Sequence, residues 1–125
     1  MSKKVRKTIR MPKATLDLWL HHLRSGKVAQ GAGALHDGKG YCCLGVLQCA
    51  VTGGKVEQEP GSDDPAYLPS FEWLKAEGIK FKDEGGRVEQ FPWLPSIGLH
   101  AASANDRGWS FGDIADAIEA CAVGY

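Results

Sequence analysis

The most restrictive stretch of this chain is Tyr41-Cys42-Cys43-Leu44-Gly45-Val46-Leu47-Gln48-Cys49-Ala50-Val51. It is apolar on almost every side, so it must be buried whichever regular structure it takes. Eleven residues is long for a strand and ordinary for a helix, which predicts a central helix here. Gly45 sits inside that helix at a cost of about 1 kcal/mol relative to alanine. The cost makes sense if a second backbone packs closely against the glycine. Gly53 and Gly54 close the segment.

A buried helix needs a covering, and the flanking sequence supplies amphipathic pieces. Leu16, Trp19, Leu20 and Leu23 recur at i, i+3, i+4 and i+7, one apolar face of a helix that opens near Pro12 and ends at Gly26. Ser70 starts a short helix with Phe71, Trp73 and Leu74 that stops at Gly78. Ile79–Lys82 and Arg87–Phe91 alternate around Asp83-Glu84-Gly85-Gly86, which reads as a β-hairpin. Ser96–Ala104 reads as another short helix, broken at Asn105-Asp106-Arg107-Gly108. Ser110 with Asp113 three residues on caps a last helix, whose inner face is Ile114, Ala115, Ile118, Cys121 and Ala122. Residues 28–40 read as a glycine-rich loop or a short irregular hairpin, and residues 55–69 as a long polar loop. The expected class is α+β, with three or four helices packed around the buried central helix and a small antiparallel hairpin or sheet.

Charge divides the chain. Its 125 residues carry 15 basic and 15 acidic side chains. Residues 1–13 hold Lys3, Lys4, Arg6, Lys7, Arg10 and Lys13 and no acid, leaving nine basic and 15 acidic groups for the rest. The reading is a basic N-terminal arm over residues 1–10 and a single acidic domain over residues 11–125. A globally basic nucleic-acid binder is excluded by this balance, whereas an arm that meets phosphates is compatible with it. No stretch is long and apolar enough to span a membrane, and no signal-peptide core follows the basic start. The expectation is a cytosolic protein with free thiols at Cys42, Cys43, Cys49 and Cys121. Their spacing is not that of a zinc site, and no cofactor is expected.

Two segments have chemical potential. A cysteine at the start of a buried helix is well placed to become a thiolate, because free N–H groups and the helix dipole stabilise the anion. Cys43-Leu44-Gly45-Val46-Leu47 resembles the nucleophile helix of papain-like cysteine peptidases of the bacterial cell-wall branch, which reads roughly Asp-Cys-Ser-Gly-Leu-Val. That resemblance implies Cys43 as nucleophile and His100 as base, with Asn105 or Asp106 as orienting group. Cys42 stands where the pattern has aspartate. The second segment is Gln30-Gly31-Ala32-Gly33-Ala34, whose backbone N–H groups suit a phosphate. No Lys-Ser or Lys-Thr follows it, so it is not a Walker loop. Trp93 lies between Pro92 and Pro95, and aromatics beside Arg87 or Arg107 suit a base and its phosphate.

Three stretches also resemble a group of small bacteriophage and prophage proteins of unassigned function. They are Leu23-Arg24-Ser25-Gly26-Lys27 with Gln30-Gly31 and Gly33-Ala34-Leu35, then Tyr41–Leu47, then Asn105-Asp106-Arg107-Gly108 with Ser110-Phe111 and Asp113-Ile114-Ala115. The resemblance implies a phage accessory protein acting in a bacterial host cytoplasm. It implies a non-enzymatic binder that sequesters a nucleotide-type defence signal or covers a host protein. The residues expected to bind are Gln30, Gly31, Trp93, Asn105, Asp106 and Arg107, in a monomer groove or a site shared in an oligomer. The alternatives are the Cys43–His100 hydrolase and an acidic protein-covering inhibitor that presents Glu57, Glu59, Asp63 and Asp64.

Overall fold

A computed structural model describes residues 6–125. The chain is a mixed α+β domain. Strand β1 (Ile9–Met11) leads into helix α1 (Lys13–Arg24), and α2 (Cys43–Thr52) follows the glycine loop. After the polar loop come α3 (Phe71–Ala76) and the hairpin β2 (Lys80–Lys82) and β3 (Val88–Glu89). A two-residue ladder of β4 (Trp93–Leu94) and β5 (Leu99–His100) precedes α4 (Ala101–Asp106). Helix α5 (Phe111–Cys121) then runs into β6 (Ala122–Gly124).

Most local signals produce the elements they predict. Six consecutive residues of α2, Cys43 through Gln48, are buried, and Gly53 in the left-handed region ends the helix. α2 packs against α1 and α4. The close neighbour required by Gly45 is the backbone of Leu35, because a Cβ on Gly45 would overlap the Leu35 carbonyl. Ser70 and Ser110 accept hydrogen bonds from Trp73 N and Asp113 N, both at 3.1 Å, as helix caps do. Arg24 ties α1 to α5 through Asp116 at 2.8 Å and Glu119 at 3.2 Å.

Two expectations need correction. Ser96–Ala104 is not one helix. Leu99–His100 pairs back on Trp93–Leu94, and the helix begins only at Ala101 and runs through Asn105 and Asp106. Pro92 O accepts from Ala101 N at 2.9 Å, so the proline-bounded connector folds as a small β-hairpin rather than a linker. The second correction concerns the arm. Its first five residues, with Lys3 and Lys4, lie outside the described residues. Thr8 and Ile9, however, are 1% exposed, and Thr8 donates to Cys121 O at 3.0 Å and to Trp93 O at 2.5 Å. Residues 9–11 form the centre of a four-stranded sheet of order β3-β2-β1-β6. β1 runs antiparallel to β2 and parallel to β6, with Ile9 opposite both Phe81 and Ala122. The apolar side chains Ile9, Met11 and Phe81 point inward. The period of two sends Arg10, Lys80 and Lys82 to the other face.

Candidate functional site

The structure brings four of the six expected binding residues together, in a network that joins the glycine loop to the start of α2. Asn105, 2% exposed, is the hub. Its Oδ1 accepts from Cys43 N and from Gln30 Nε2, both at 3.1 Å, and its Nδ2 donates to Gly31 O at 2.7 Å. Gln30 Nε2 also donates to Trp109 O at 2.7 Å. Asp106 Oδ1 accepts from Gly33 N at 2.8 Å. Asp37 fills the rest of the loop, accepting from Ala32 N at 3.1 Å, Lys39 N at 2.8 Å and Gly40 N at 2.9 Å. Those N–H groups hold the Asp37 carboxyl down to about 2.

The consequence is chemical. A glycine loop binds phosphate only if its N–H groups are free. Here Gly31 N donates to Tyr41 O, and Asp37 and Asp106 occupy the places where phosphate oxygens would sit. The loop carries its own anions. Nor is there room for another strand of backbone, since a Cβ on Gly31 or on Gly40 would lie 2.5 Å from a neighbouring carbonyl oxygen. Trp93 and Arg107 are not drawn into the network. Trp93 packs edge-on against His100 at 5.1 Å, and Arg107 is an exposed cap residue at the end of α4.

Cys43 stands at the amino end of α2, as a nucleophile would, but it has no access to solvent. Burial pushes its thiol well up, and the adjoining Cys42 adds to that. Desolvation outweighs the backbone N–H groups that would favour a thiolate. The thiol donates to Ala101 O at 3.4 Å. His100 is wedged between Phe91 and Trp93, and its Nδ1 is buried without a hydrogen-bond partner. No Cys43–His100 hydrogen bond forms. Among the described residues no group of three or more His, Cys, Asp or Glu side chains is arranged to hold a metal ion. No helix there is long and apolar enough to cross a membrane.

Open surface hollows fall into two kinds by charge. Two hollows of about 350 and 470 Å³ share the exposed Tyr67 in their walls. Their walls carry Glu57, Glu59, Asp37 and Asp64, which would repel a phosphate. Glu57 is also committed internally, accepting from Gln48 Nε2 at 2.6 Å and Ser70 N at 2.7 Å.

The opposite kind lies at the outer face of the sheet. A hollow of about 280 Å³ is lined by Arg10, Lys75, Gly78, Ile79, Lys80 and Tyr125. It has three cations and no acidic side chain on its wall. Arg10 and Lys80 are direct cross-strand partners, an arrangement that repels and costs a sheet stability. Among the described residues ion pairs engage three cations, Lys13 with Asp17, Arg24 with Asp116 and Glu119, and Arg87 with Asp83. Arg10, Lys75, Lys80 and Lys82 make no ion pair among the described residues. Tyr125 forms a fixed aromatic wall. Its N donates to Met11 O at 3.1 Å, its O accepts from Lys13 N at 2.9 Å, and its hydroxyl donates to Gly78 O. The Arg10 guanidinium lies 5.8 Å from the ring centroid.

These residues were missed because the site depends on pairing between distant segments. The alternation Ile79-Lys80-Phe81-Lys82 already put two lysines on one face, but nothing local showed that Arg10 would stand opposite Lys80. Comparison with known proteins bears on a different part of the chain. Residues 11–63 match a family described as a domain of unknown function (DUF8296). That segment is similar to the family over α1, the glycine loop and α2. Lys75, Lys80, Lys82 and Tyr125 fall outside it. No curated protein and no solved structure matches the chain.

Proposed function

We propose that this protein is a non-enzymatic binder of a nucleotide-type ligand, held at the outer face of the sheet by Arg10, Lys75, Lys80 and Tyr125. The observation that carries this reading is the un-neutralised Arg10–Lys80 cross-strand pair beside Lys75 and an immobilised tyrosine. Three cations converging on one hollow suit a phosphate, and the aromatic wall suits a base or sugar. The absence of a Cys43–His100 dyad favours capture over turnover. The resemblance to phage and prophage proteins supports the setting: an accessory protein in a bacterial host cytoplasm that withholds a defence signal. The three or four helices around α2 would then serve as the scaffold that fixes the sheet.

The test is incubation of the full chain with a panel of nucleotides, removal of free ligand, and release by heat. An intact nucleotide is expected in the released fraction, and Lys80→Glu is expected to lose it. A Lys80→Glu variant that retains as much ligand as the wild type would remove the site from consideration.

A further inference from the structure

The charge pattern of the sheet face carries more than one phosphate position. Arg10 and Lys80 stand opposite each other on neighbouring strands, with backbones roughly 5 Å apart. One phosphate spans both. Lys82 shares the face of Lys80 but lies two residues along β2, about 7 Å further on. A phosphate seated between Arg10 and Lys80 leaves Lys82 without an anion. Successive phosphates of an extended nucleotide strand are separated by a similar step.

The surface beside this track fits what would link two phosphates. A groove of about 420 Å³ between α3 and the β2–β3 hairpin shares Lys75, Ile79 and Lys80 with the cationic hollow. Its exposed apolar side chains are Phe71, 47% accessible, and Val88, 50% accessible. Val88 pairs opposite Lys82, so the groove ends beside the second cation. An aromatic ring next to lysines is the combination that stacks a base while its phosphate is neutralised. Glu89 is the one acid on the groove, and its carboxylate can accept from the exocyclic amine of a base.

We infer that the ligand of this face contains at least two phosphodiester-linked nucleotides, with one phosphate between Arg10 and Lys80, the next at Lys82, and a base against Phe71. This rests on the nucleotide-binding reading above and specifies its ligand class as an oligonucleotide, linear or cyclic.

Calorimetric titration of the full chain with thymidine 5′-monophosphate, linear pTpT, linear dT6 and cyclic di-AMP tests it. At least one of the two-phosphate probes, pTpT and cyclic di-AMP, should bind about tenfold more tightly than the monophosphate, and dT6 no more weakly than pTpT. The salt dependence of that two-phosphate probe should be steeper by about 0.7 in log–log slope, the value for one added phosphate of a single strand. The preference between pTpT or dT6 and cyclic di-AMP distinguishes a strand from a cyclic molecule. Lys82→Glu should weaken the preferred two-phosphate probe about tenfold and leave the monophosphate unchanged, which also shows that the variant is folded. Equal affinity for the monophosphate and every longer probe overturns the inference while sparing the nucleotide reading. So does a Lys82→Glu variant that weakens all probes alike. Failure of all four probes to bind overturns both.

Discussion

The glycine loop and the outer sheet face are both polar, and they put their polar groups to opposite uses. In the loop every donor named above finds a protein acceptor, and Asn105 bridges the loop, α4 and the first turn of α2. On the sheet face Arg10 and Lys80 repel each other, and neither forms an ion pair among the described residues. Concentrated polarity alone therefore does not mark a site. A cluster that satisfies itself is architecture, because its desolvation cost is already met within the fold. A cluster that leaves like charges facing one another has a reason to welcome an anion.

The largest break in this comparison is expected at the seam where the loop crosses α2. Gly45→Ala would drive a methyl group into the Leu35 carbonyl, a backbone atom that cannot swing aside. The expected loss exceeds about 4 kcal/mol, enough to unfold a domain of this size. Circular dichroism melting reads it directly, and a variant melting at the wild-type temperature would contradict the packing described.

Next comes the hub. Asn105→Ala leaves Cys43 N–H and Gly31 O without their buried partner, at about 1–3 kcal/mol each. A total loss near 3 kcal/mol, or a fall of roughly 10 °C in Tm, is expected. Ligand affinity per folded molecule should be unchanged. If Asn105→Ala abolishes binding without lowering Tm, the loop and not the sheet holds the ligand.

Lys80→Glu sharpens the other side. It converts a repelling cross-strand pair into an attracting one, worth about 0.2–1 kcal/mol. Stability should rise slightly while ligand binding is lost. A melt and a titration on the same preparation check both, and a drop in stability would mean that Lys80 serves the fold.

The smallest effect is a pH dependence. The folded Asp37 carboxyl sits at about 2, below its ordinary value of 3.8. A depressed pKa stabilises the folded state above the unfolded value and is lost as pH falls through the folded one. The loop contribution should therefore be full above about pH 4 and fade between pH 4 and 2. Asp37→Asn removes the carboxylate, so its stability should vary less over that window. Acid titration of both chains by tryptophan fluorescence measures the difference, and parallel curves would refute it.

Much of the candidate site was half visible in the residue order. Alternation around Phe81 announces a strand with Lys80 and Lys82 on one face, and the cluster of charge before Lys13 is plain. Gln30, Gly31, Asn105 and Asp106 were legible as a group, and they do meet. Their chemistry was not, because whether an N–H is free depends on which carboxylate folds back onto it. Asp37 and Asp106 decided that.

Local periodicity by itself determined α1, α2, α5 and the β2–β3 hairpin, since burying one face or all faces of a segment depends on residues within one or two turns. It also required something close to Gly45. The tertiary structure alone decided that Ile9–Met11 would lie between Phe81 and Ala122, and that Arg10 would therefore confront Lys80. The physical reason is range. A helix face is written in spacings of three and four, whereas pairing between segments far apart in sequence must overcome loop-closure entropy and is selected by the burial of the whole core.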